Sequence, residues 1–103
     1  MISRVKLLNI PQPDSEIPSK CPQLPREVYQ VRLRRLRERM KEAGLDQVII
    51  YADREHAANF AYLAGFSPRF EEALLIVGLD GTPQAVLGTE NINMVRYTLA
   101  ELE

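Results

Sequence analysis

The chain has 103 residues, 46% hydrophobic and 26% charged, which is the composition of one soluble globular domain with a small core. A formal net charge of −1 excludes a general attraction to nucleic acid or anionic membrane, so any basic patch has to be local. Cys21 is the sole cysteine, which excludes an intrachain disulfide and suits a reducing compartment. The longest apolar run, Ala73 to Leu79, falls far short of the roughly 20 residues that span a bilayer. The N-terminus also lacks a signal-peptide h-region and cleavage site, so a cytoplasmic protein is expected.

Residues 1–25 carry five of the seven prolines, at 11, 13, 18, 22 and 25, and no hydrophobic periodicity runs through them. Proline fixes φ and removes a donor, so this segment is either an arm lying on something or a disordered leader. Val5, Leu7, Leu8 and Ile10 favour an arm that docks, because disordered segments are more polar than this.

From residue 24 the pattern becomes LPREVYQVRLRRLRERMKEAGLD, with Tyr29, Leu33, Leu36, Met40 and Ala43 on one helical stripe. Pro25 suits the first turn, and Gly44 suits a left-handed cap just past the end. Arg32, Arg34, Arg35, Arg37, Arg39 and Lys41 invite a nucleic-acid reading, but they split onto both flanks of the stripe with Glu38 and Glu42 between them. A solvated face with i,i+3 and i,i+4 pairs explains that distribution better.

Asp46 to Ala52, DQVIIYA, reads as a buried strand. DREHAANFAYLAGF follows as a helix starting at Arg54, capped by Asp53 and ended by Gly65. Its buried face is Ala57, Phe60, Ala61 and Ala64, and the single histidine, His56, lies at the edge of that face. A rim histidine bonded to a neighbour is favoured over a ligand or a substrate contact. Asn59 and Tyr62 stand nearer solvent, each with a polar tip; Tyr62 is either a partner contact or an amphipathic lid on the core. In the loop SPRFEE, Arg69 beside Phe70 is either a carboxylate-recognition pair or, as favoured here, a plain surface pair.

Glu72 to Leu79 is a second strand, Asp80-Gly81 a hairpin turn and Pro83 to Gly88 the returning strand. Strand, helix, strand implies a right-handed parallel crossover, and the Asp-Gly turn an antiparallel neighbour, so a mixed sheet with flanking helices is expected. TENINMVRYTLAELE places Ile92, Val95, Leu99 and Leu102 on one face of a last helix. That helix has no glycine or asparagine stop, and its last turn is acidic, so the domain is expected to be cut inside an element. Three strands are also few for an α/β core, so partners of the sheet are expected to be missing.

One histidine and one distant cysteine do not supply a convergent transition-metal ligand set. No HExxH, CxxC, GxSxG or Walker-type glycine loop occurs. The residues therefore argue against a self-contained active site.

The succession VRLRRLRERMKEAGLD, VIIY, NFAYLAGF and EALLIVGLDGTPQAVL, over about Glu27 to Glu90, resembles the N-terminal domain of the pita-bread-fold metallopeptidases, the family of aminopeptidase P, prolidase and creatinase. Members usually carry threonine where this chain has Ala64. The resemblance implies a ribonuclease H-like mixed sheet, truncated here, with 1–25 an arm and 26–103 an incomplete domain. It implies no cofactor in this chain, and a divalent pair (manganese, cobalt or zinc) in a separate C-terminal catalytic domain of a parent Xaa-Pro peptidase. It further implies a role in forming an oligomer and in overhanging a neighbouring active site, for which Arg54, His56, Tyr62 and Arg69 are the positions carried over. The rival reading is a free-standing interaction module whose arginine-rich helix binds an acidic partner or nucleic acid. A third is self-association through an unpaired sheet edge.

Overall fold

Seventeen residues, Arg26–Glu42, form helix α1 in the computed structural model, which describes residues 4–103. Pro25 is the extended residue just before the first turn rather than within it. Glu27 in the first turn and Arg39 and Lys41 in the last oppose the ends of the helix dipole with the favourable sign. At the C-terminus Gly44, at φ 68°, donates to the Lys41 carbonyl at 3.1 Å while Leu45 donates to that of Met40 at 2.9 Å. That pair of bonds is the Schellman arrangement, which satisfies carbonyls the helix leaves open. Of the expected stripe, Met40 is buried and Tyr29, Leu33 and Leu36 are half-buried; Ala43, the C-cap, is exposed.

Strand β1, Gln47–Ala52, buries only alternate residues, so the expectation of a fully buried strand is corrected: Val48, Ile50 and Ala52 face the helices while Ile49 and Tyr51 face out. Helix α2, Ala58–Ala64, is followed by β2, Ala73–Gly78, β3, Gln84–Leu87, and a 3-10 segment, Ile92–Tyr97. The α/β class with helices flanking a sheet stands. The parallel crossover does not: the order is β1-β2-β3 and both pairings are antiparallel, with Ala52 opposite Ala73 and Ala73 opposite Leu87. Instead of crossing the sheet, the chain turns back through the turn closed on Asp53 and the short helix α2, and enters β2 at the end where it left β1. Among the described residues a parallel contact occurs only at the outer side of β3, where Glu103 donates to the Pro83 carbonyl at 2.9 Å and accepts from the Ala85 amide at 2.8 Å.

Met40 from α1, Phe60 and Ala64 from α2, Phe66, and Ala52, Ala73, Leu75 and Val77 from the sheet make the core. The Phe60 and Phe66 rings meet edge to face, 5.3 Å between centroids. Both helices cover one face of the sheet, leaving Ile49, Tyr51, Leu74, Ile76 and Val86 on the other, with Ile49 opposite Ile76 and Tyr51 opposite Leu74.

One further expectation is corrected. The C-terminal helix is only a 3-10 turn, after which Thr98 is extended and its hydroxyl donates to the Ala64 carbonyl at 2.7 Å and accepts from the Ala100 amide at 3.1 Å. These contacts, with those of Glu103, give the backbone partners outside a helix. The arm does not pack on the rest of the described chain: residues 4–24 form no helix or strand, and Val5, Leu7, Leu8 and Ile10 are exposed. Its prolines remove the donors and fix the φ angles that adding to a sheet or helix would need.

Candidate functional site

The chain leaves β1 through a turn built on one carboxylate. Asp53 Oδ1 accepts from the amides of Glu55 at 2.9 Å and His56 at 2.7 Å, and the His56 ring Nδ1 lies 3.1 Å away. The Asp53 amide donates back to the His56 carbonyl at 3.3 Å, closing the turn. Asp53 was expected to cap a helix beginning at Arg54; it caps this isolated turn instead, and α2 starts four residues later with Ala57 at its N-cap. His56 therefore lies off the helix altogether, exposed and held by Asp53. The His56 amide above all, then that of Glu55 and the histidine ring, hold the Asp53 carboxyl below its ordinary range against the opposing effect of desolvation. Tyr51 donates to Asp53 Oδ2 at 3.2 Å, and desolvation, then the carboxylates of Glu72 and Asp53, push its phenol up.

Because Ala52 faces Ala73 across the sheet, the loops carrying Arg54 and His56 on one side and Arg69 on the other leave the same end of β1 and β2. Arg54, His56, Arg69 and Phe70 are all exposed there. Tyr62 sits elsewhere, in the helix layer. The Arg32 guanidinium lies 4.2 Å from its ring centre and donates to its carbonyl at 2.8 Å, and the Tyr29 ring is 5.6 Å from the same guanidinium. Tyr62 thus helps join α2 to α1 through a cation–aromatic contact.

The basic side chains of α1 are largely occupied within the fold. Arg26 pairs with Glu101 at 3.0 Å and Arg39 with Glu42 at 3.1 Å. Arg37 donates through Nε to the Gly78 carbonyl at 2.9 Å and through Nη2 to that of Gly81, clamping the β2–β3 hairpin against the helix. Sequence order gave no sign of that partnership, or of the bond from Thr98 to Ala64. Thr98 also explains the glycine of YLAGF: Gly65 has φ 79°, and a Cβ there would overlap Thr98 Oγ1 and come within 3.0 Å of Tyr29 Oη.

Among the described residues no three His, Cys, Asp or Glu side chains converge as a metal ligand set. Asp53 and His56 use their near atoms on each other, so the residues present do not fit a divalent pair. Nor is any described helix long and apolar enough to cross a membrane.

A short antiparallel sheet with helices on one face defines a small α/β domain. The model of the creatinase/prolidase N-terminal domain matches residues 32–101, more than half of the chain, and the chain belongs to that family. The match begins inside α1 and continues past Glu90 through the 3-10 segment. No curated protein sequence matches the chain.

Proposed function

We propose that the chain is the non-catalytic N-terminal domain of an Xaa-Pro peptidase-like metallohydrolase, acting in the cytoplasm in oligomer formation and in restricting which substrates reach the active site. The family match over residues 32–101 carries this reading. The parent's catalytic domain would supply a pair of manganese, cobalt or zinc ions; among the described residues of this chain no three ligand side chains converge.

Two features support the division of roles. Arg54, His56 and Arg69 project from one end of the sheet, beside the carboxylates of Asp53, Glu55 and Glu72, and the two guanidinium groups can meet the carboxylate end of a peptide there. The uncovered face of Ile49, Tyr51, Leu74, Ile76 and Val86 is apolar, as surfaces that associate are. In the protein that joins this domain to its catalytic domain, Arg54→Ala, His56→Ala and Arg69→Ala are expected to raise turnover of longer peptides relative to dipeptides, with dipeptide kcat unchanged. An unaltered length preference in all three would overturn the access role. Light scattering over a concentration series tests association, and a monomer throughout would count against it.

A further inference from the structure

We propose that residues 5–13 of the arm form a polyproline-II ligand that docks into the aromatic-lined groove of a proline-recognising protein domain. The sequence pattern, the backbone chemistry and the exposure of this segment each point to it.

The pattern is a strict period of three. No helical or strand period runs through residues 1–25, but VKLLNIPQP, Val5 to Pro13, has a polar residue at every third position, Lys6, Asn9 and Gln12, and none between. A polyproline-II helix has three residues per turn, so these three share one edge. Leu7, Ile10 and Pro13 fall on the second edge, and Val5, Leu8 and Pro11 on the third. As a strand the same residues would mix apolar and polar side chains on both faces. As an α-helix they would place Pro11 and Pro13 where amide donors are needed.

The backbone agrees. Pro11 and Pro13 fix their own φ at about −65°, and each holds the residue before it, Ile10 and Gln12, in extended geometry. The segment is neither helix nor strand. It ends just past Pro13, where Asp14 accepts from the Glu16 amide at 3.0 Å and Glu16 turns to φ 44°. In polyproline-II geometry its nine residues span about 28 Å.

Both apolar edges face solvent. Val5, Leu7, Leu8 and Ile10 are each at least 75% exposed, and Pro11 and Pro13 are exposed beside them. Proline-recognising grooves grip a ligand by two apolar edges and leave the third in water, and a ligand already extended loses little entropy on binding. Arg4 and Lys6 open the run with positive charge, which orients it against an acidic rim. The same charges disfavour the groove beside α1 in a second copy, where Arg32, Arg35 and Arg39 stand over the apolar floor.

The test titrates the 103-residue chain against a panel of purified SH3-type and WW-type domains, followed by the fluorescence of their groove aromatics. Saturable binding to at least one domain is expected, with NMR shift changes confined to the arm. Leu7→Ala with Ile10→Ala is expected to weaken that binding about tenfold, because two aliphatic side chains are cut back from the contact. Asn9→Ala with Gln12→Ala, on the solvent edge, is expected to leave it unchanged. Inserting one alanine between Leu8 and Asn9 keeps every side chain but rotates half of the apolar surface by a third of a turn, and is expected to weaken binding as much. All these positions lie outside the core, so the variants keep the fold. Any of three results overturns the proposal: no saturable binding to any domain of the panel, equal loss from the apolar-edge and polar-edge pairs, or self-association of the chain that Leu7→Ala with Ile10→Ala abolishes, which would make a second copy the occupant.

Discussion

Replacing Gly65 by alanine should cost this domain far more than the same change at Gly44, although both residues end helices with positive φ. The left-handed conformation costs a non-glycine residue roughly 1–2 kcal/mol at either position. At Gly44 nothing lies within 4 Å of the new methyl, so that cost is the whole effect. At Gly65 the methyl overlaps Thr98 Oγ1 and presses on Tyr29, so Thr98 must move and its 2.7 Å bond to the Ala64 carbonyl is lost. That loss adds about 1 kcal/mol, for a total of about 2–3 kcal/mol at Gly65. For a domain of this size the total corresponds to a fall in Tm of roughly 10–20 °C, against about 5–10 °C for Gly44→Ala. Thermal and urea melts followed by circular dichroism measure both. Combining Gly65→Ala with Thr98→Ala should cost less than the sum of the two, since the same bond is removed twice. Equal destabilisation by Gly44→Ala and Gly65→Ala would refute the role given to Thr98.

Arg37→Ala should lower stability by about 1–2 kcal/mol through loss of the two bonds to the hairpin carbonyls, and should speed hydrogen exchange around Gly78 and Gly81. Phe60→Ala empties the centre of the core and should cost about 3–5 kcal/mol, enough to leave much of the chain unfolded in the absence of stabilising ligands. The turn at Asp53 should depend on pH with a fixed sign. Because its carboxyl is held below the ordinary aspartate range, its contribution is fully present above that range and is lost as pH falls through the lowered value. NMR of the Glu55 and His56 amides should follow this loss, and Asp53→Ala should abolish it; amides indifferent to both would contradict the turn's chemistry.

What was legible in the sequence was local. The stripe from Tyr29 to Met40 and the glycine after it specified α1 and its cap, because both the packing and the terminal hydrogen bonds involve residues close in the chain. The same holds for Gly65 ending α2 and for Gly81, at φ 72°, in the hairpin turn. What failed depended on distant partners. Asp53 has the right chemistry for a helix cap, but whether a helix or a closed turn follows is decided by how Ala58–Ala64 sits on the sheet. The last segment has a helical pattern, yet Ala64 and Pro83 to Ala85 offer Thr98 and Glu103 better partners. Of the positions around the candidate site, the exposure of Arg69 and Phe70 was legible. The engagement of Tyr62 by Arg32 was not, because those residues lie thirty positions apart.

The central claim is that this domain serves an active site it does not contain. Incubating the purified chain with an Xaa-Pro dipeptide and, in turn, manganese, cobalt and zinc tests that directly. The account predicts no hydrolysis above the metal-only control under any of the three ions. Metal-dependent cleavage that co-purifies with the folded chain and disappears when it is unfolded would contradict it.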